Sequence, residues 1–87
     1  MEKFDGNSIV FQHLIELPNC DCMFCSTVDT STGKTILFLV FTERNRIYVR
    51  NGIKDTWDEL KDEEQYEIIR DRFSQTVSDP QVECITA

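Results

Sequence analysis

The sequence predicts an α+β fold: a single domain over residues 1–87, an antiparallel β-sheet of four to five strands with one broken C-terminal helix packed on one face. Three observations predict it. Apolar residues alternate with period two in short segments before residue 51; Gly, Pro, Asn and Asp separate those segments; and past residue 62 the apolar spacing changes to three and four. A chain of 87 residues buries only about 60 to 65 per cent of the surface that its unfolded form exposes, so it builds one small core with little room for a substrate pocket. An apolar content of 40% with nine aromatic residues keeps it among folded chains despite a net charge of −7.

The elements follow in order. Ser8 to Leu17 sets Ile9, Phe11, His13, Ile15 and Leu17 on one period-two face, a strand ended by Pro18 and Asn19. Met23 to Val28 reads as a short second strand, and the polar run Asp29 to Gly33 as the turn that follows it. Thr35 to Thr42 is the clearest strand. Ile36, Phe38 and Val40 fall on one side and Leu37, Leu39 and Phe41 on the other, so it is apolar on both faces and central. Arg46 to Arg50 forms the fourth strand, stopped by Asn51 and Gly52. Two capping-box patterns then appear, Thr56 with Glu59 and Asp62 with Gln65, which predict one helical turn, a break near Lys61, and a longer helix from about Glu63 to Val77. That helix presents Tyr66, Ile69, Phe73 and Val77 to the core and turns Glu63, Glu64, Glu67, Asp71 and Arg72 outward. Gln81 to Thr86 returns as a last strand. One helix covers one sheet face. The other is left for the amino-terminal residues, sheet curvature or another chain to close, and self-association into a homodimer is one way to do it.

Charge is the feature that bears most on function. From Asp55 to Asp71 eight acids face only Lys61 and Arg70, a local charge of −6 within the total of −7. An acidic surface of this density repels nucleic-acid phosphates and anionic lipid, so direct binding to either is not expected. Residues Met1 to Ser8 hold no apolar leader core, and the longest apolar run, Ile36 to Phe41, is far short of the roughly 20 residues of a membrane span. The expectation is a cytoplasmic protein with no membrane contact.

Several constellations bear on chemistry. Cys20, Cys22 and Cys25 are crowded into one segment, with Cys84 distant and His13 the only histidine. Four thiols can hold zinc tetrahedrally, but this spacing is one crowded knuckle plus a lone partner, and free thiols in a reducing compartment are the plainer reading. No cofactor is otherwise implied. Thr32, Gly33, Lys34 and Thr35 imitate the end of a phosphate-binding loop, yet Val28 stands at the first glycine position and a strand, not a helix, follows; Gly33 is a hairpin residue. His13 has no oriented nucleophilic partner, and the acids sit on a convex surface without the desolvated cleft that general acid chemistry requires. Arg44, Arg46, Tyr48, Arg50 and Lys54 make a small basic stripe whose natural counter-charges are the nearby acids.

These readings exclude an enzyme and leave an interaction protein: a small acidic inhibitor or regulator whose helix docks on the basic, nucleic-acid-binding surface of a larger protein. Asp58, Glu59, Asp62, Glu63, Glu64, Glu67 and Asp71 would imitate part of a phosphate array, with Trp57 as an aromatic anchor. Small acidic inhibitors of this physical class are typical of phages and other mobile elements, which makes a viral protein acting in a host cell the expectation. The alternatives are a zinc-binding regulatory module using Cys20, Cys22, Cys25 and Cys84, or a self-associating structural subunit.

Overall fold

A single mixed sheet backed by one helix organises the chain in the computed structural model, which describes residues 4–82 and 84–86. A 3₁₀ turn, Gly6–Ser8, leads into β1 (Ile9–Glu16), β2 (Met23–Asp29), β3 (Lys34–Phe41), β4 (Arg46–Asn51) and β5 (Thr56–Glu59); α1 (Glu63–Val77) and β6 (Cys84–Thr86) follow. Among the described residues the six strands lie in the order β5-β4-β3-β2-β1-β6. The first five form an antiparallel meander, and β6 joins the far edge parallel to β1 after the helix has crossed the sheet. The α+β architecture is thus the one expected, with six strands in place of four to five.

The added strand comes from a segment read as a helical turn. Thr56 to Glu59 is extended and pairs with β4, Arg50 opposite Trp57 and Tyr48 opposite Glu59. A lone helical turn fixes several dihedrals for one hydrogen bond, so it loses to a ready sheet edge that supplies a ladder and a cross-strand contact for Trp57. The helix is therefore single rather than broken, and Thr56 donates its hydroxyl to Asp58 instead of capping anything.

Two turn features set the meander. Gly33 adopts a φ of 75° in the β2–β3 hairpin, and Asn19, Asn45 and Asp55 take left-handed conformations in the three other strand connections, a region that Asn and Asp tolerate best after Gly. In β1 the pairing register shifts between Phe11, opposite Thr27, and His13, opposite Ser26. This bulge at Gln12 reverses the alternation, so Leu14 is buried while His13, expected on the apolar face, is exposed.

The core lies between the helix and the sheet: Ile9, Phe11 and Leu14 from β1, Cys25, Ile36, Phe38, Val40, Ile47 and Val49 from the next three strands, Leu60, and Ile69 and Phe73 from α1. Asp62 caps α1 by accepting from the backbone N–H groups of Glu64 and Gln65, as the second capping pattern predicts. Gln65 does not complete the box. Its Oε1 accepts from the Gly6 N–H at 2.9 Å, and a Cβ on Gly6 would lie 2.7 Å from Ile68, so only glycine lets the amino-terminal backbone approach the helix this closely. Arg72, expected outward, turns back and donates to the carbonyls of Asn7 and Ile9. Phe4 packs on the same side, edge-on to Phe38 with ring centroids 5.5 Å apart. Residues 4–8 therefore thicken the helix side and leave the opposite sheet face open.

Candidate interaction site

The structure divides the acidic run in two. Asp55, Asp58 and Glu59 lie on the β4–β5 hairpin, where polar partners hold each of them. Asp55 pairs with the Arg50 guanidinium and Glu59 with Arg46 at 3.1 Å. Asp58 accepts from Asn51 Nδ2 at 3.1 Å and Thr56 Oγ1 at 2.9 Å, and these two hydrogen bonds hold its carboxyl below the ordinary carboxylate range. Asn51, a buried polar residue, is the organiser: its Oδ1 also accepts from the backbone N–H groups of Ile53 and Lys54. The sequence shows Asn51 and Gly52 only as a strand stop. That Asn51 faces the core is visible in the alternation Ile47, Val49, Asn51, a signal available before the structure.

The acids of α1 are placed differently. Asp62 is used as the cap, whereas Glu63, Glu64, Glu67 and Asp71 are exposed. At 100° per residue they occupy the arc opposite Ile69 and Phe73, so the core fixes their direction into solvent. Among the described residues Asp71 has Arg70 at 3.6 Å, and no ion pair reaches Glu63, Glu64 or Glu67. Glu63 and Glu64 favour the positive end of the helix dipole. Glu67 and Asp71 lie beyond its reach and stand four residues apart in the repulsive like-charge spacing. Arg70 itself lies over the Tyr66 ring at 5.7 Å, so its charge is shared with an aromatic face.

Trp57 is not beside these carboxylates. It is half-buried on the opposite sheet face, with Phe24 edge-on at 6.3 Å and the Arg50 guanidinium 5.5 Å from its ring centre. The set expected to act as one surface is therefore split: four helix acids on one side, Trp57 and Glu59 on the other, Asp58 inside the hairpin, and Asp62 at the helix start. The open face carries half-buried Ile15, Phe24, Leu37, Leu39, Phe41 and Tyr48. Leu39, Phe41, Arg44, Arg46, Tyr48 and Trp57 enclose a recess of about 220 Å³ on it. The basic stripe is balanced internally in part, through Arg46 with Glu59 and Arg50 with Asp55; among the described residues Arg44 and Lys54 have no ion pair.

The thiols are strung out along the β1–β2 end of the sheet. Cys20 and Cys84 are exposed, Cys22 and Cys25 buried. Leu14 pairs with Cys25 on one side and with Cys84 on the other, which sets those two cysteines two strands, about 9.6 Å, apart. Among the described residues no three His, Cys, Asp or Glu side chains converge as a metal site. Burial, reinforced by neighbouring thiols, pushes the Cys22 thiol up to about 11 and that of Cys25 up to about 12, so both remain protonated and weakly nucleophilic at neutral pH. Cys25 donates weakly to the Met23 carbonyl at 3.7 Å.

No protein-family model, curated protein or solved structure matches this chain. Among the described residues no helix is long and apolar enough to cross a membrane.

Proposed function

We propose that this protein is a non-enzymatic regulator or inhibitor that acts inside the cell by docking the outward stripe of α1 on a basic surface of a larger protein, of the kind that ordinarily holds nucleic acid. The observation that carries this reading is the division of the acids. Those of the hairpin are ion-paired or hydrogen-bonded within the fold, while Glu63, Glu64 and Glu67 project into solvent from the helix with no ion pair among the described residues. Successive carboxylates four residues apart recur about every 6 Å along the stripe, against one phosphate per 3.4 Å of duplex axis on each strand, so the helix offers a sparse imitation of a phosphate row. Sign and direction are supplied by the stripe; the complementary basic groove is supplied by the partner.

The test is affinity capture from cell extract beside two variants, Glu63→Lys/Glu64→Lys/Glu67→Lys and Glu67→Lys/Asp71→Lys, the second leaving the helix N-terminus untouched. A protein captured by the wild type alone, released by excess duplex DNA and by raising salt from about 0.15 M to about 0.5 M, is the expected result. Capture that survives both charge reversals in variants with unchanged circular dichroism sinks the reading.

A further inference from the structure

We infer that the open sheet face is the contact surface for a second copy of this chain, giving a dimer of two back-to-back sheets with a helix on each outer side. The inference is independent of the reading of the acidic helix, since it concerns the opposite side of the molecule.

Composition is the first argument. Ile15, Phe24, Leu37, Leu39, Tyr48 and Trp57 share this face, and of the arginines that border it Arg46 pairs with Glu59, Arg50 pairs with Asp55 and Arg44 lies over the Phe41 ring at 5.8 Å. Apolar and aromatic residues at the centre, with arginine at the margin, is the pattern of surfaces that close against protein rather than water. Of the four most exposed large apolar side chains, Val10 and Ile85 alternate onto this face and Ile53, 87% exposed, borders it beside Leu37 and Arg50; only Val77 lies elsewhere. Nucleic acid is a poorer occupant, because two of the arginines it would need, Arg46 and Arg50, are neutralised by acids of the same hairpin.

Area and charge select a second copy. Six strands spaced about 4.8 Å apart and about 20 Å long present roughly 600 Å² per copy once surface relief is included, about 1,200 Å² in all, the lower limit of a stable interface. Aligned sheets pack about 10 Å apart with their strands inclined by about 30°, a geometry open to any two twisted sheets of equal size. Two chains of charge −7 would ordinarily repel. Here the densest cluster of acids without an ion pair among the described residues, Glu63, Glu64 and Glu67, lies beyond the helix on the far side of each copy. In the dimer they are separated by two helix layers and two sheets, about 30 Å, several times the Debye length of about 8 Å at physiological salt.

Sedimentation equilibrium of the whole protein from about 1 µM to about 300 µM tests this, with emission of Trp57, the single tryptophan, followed over the same range. The expected result is a mass that doubles from 10.2 kDa, a blue shift of Trp57 emission as the mass rises, and persistence in about 0.5 M salt, where docking through the acidic helix is lost. Leu37→Lys/Leu39→Lys should weaken association at least about 100-fold, while Val77→Lys leaves it unchanged. A wild type that stays at 10.2 kDa across the range overturns the inference. So does a doubled mass that persists in the double lysine variant with native circular dichroism, or one that forms without any change at Trp57.

Discussion

The acids of the β4–β5 hairpin and those of α1 belong to one run in the sequence and have opposite roles in the fold. Asp55, Asp58 and Glu59 each have a cation or a hydrogen-bond donor within reach, so the charge of Asp55 and Glu59 is paired locally and that of Asp58 is held by neutral donors that shape the turn. Glu63, Glu64 and Glu67 have none among the described residues, and the core-facing arc of Ile69 and Phe73 holds them outward. Local charge density therefore does not define a binding surface. What matters is whether the fold supplies counter-charges, and in this chain the change from strand to helix near Lys61 is where that supply ends.

The comparison breaks most severely at Asn51. Asn51→Ala removes one of the two donors to Asp58 and the acceptor for Ile53 and Lys54, leaving two backbone N–H groups without their partner. The expected loss is about 2 kcal/mol, which for a domain of this size lowers Tm by roughly 10 °C, measurable by thermal or urea unfolding. If the hairpin acids were as free as those of the helix, the loss would be no larger in the wild type than in an Asp58→Asn background. A smaller effect of opposite sign is expected on α1. Glu67→Lys replaces like-charge spacings to Glu63 and Asp71 with attractive ones, and should stabilise by about 0.5 to 1 kcal/mol in low salt. Glu59→Lys, which loses Arg46 and sets two cations together, should destabilise by up to about 1 kcal/mol. Equal signs for these two reversals would erase the distinction.

Much of this architecture is legible in the sequence, for reasons that also explain the rest. The helix Glu63–Val77 has an Asp cap, a 3.6-residue apolar arc and Asp-Pro after its end, all local signals that agree, and its limits are the ones expected. The β3 strand is apolar on both faces, and it lies inside the sheet between β2 and β4. Thr56 to Glu59 misleads because a capping pattern and a strand alternation coincide over four residues; a distant event, pairing with Arg46–Asn51, decides between them. The bulge at Gln12 leaves no local mark, and it alone moves His13 out and Leu14 in. The site follows the same rule. The direction of the helix acids follows from periodicity, whereas the assignment of Asp55, Asp58 and Glu59 to internal partners depends on a hairpin that only long-range pairing creates.

Acid titration gives the finest measure of the difference. Hydrogen bonds from Asn51 and Thr56 favour the charged form of Asp58, so its carboxyl is more acidic in the folded chain than the ordinary value of 3.8. Below that ordinary value the unfolded state takes up the Asp58 proton first, and ∂ΔG/∂pH is positive. The contribution of Asp58 is complete above the unfolded value and declines as pH falls towards and through the folded one. Unfolding measured at successive pH values from about 7 to about 2.5 should therefore show a steeper acid decline for the wild type than for Asp58→Asn, which keeps the shape but cannot titrate. The side chain borders solvent, so the gap between the two curves should be small, and it should narrow in Asn51→Ala/Asp58→Asn against Asn51→Ala, where the first of the two donors is gone and Thr56 alone remains. Parallel acid limbs in the wild type and Asp58→Asn would place Asp58 with the free acids of the helix, and the line between the two halves of the run would then have to be drawn at the β4–β5 turn instead of near Lys61.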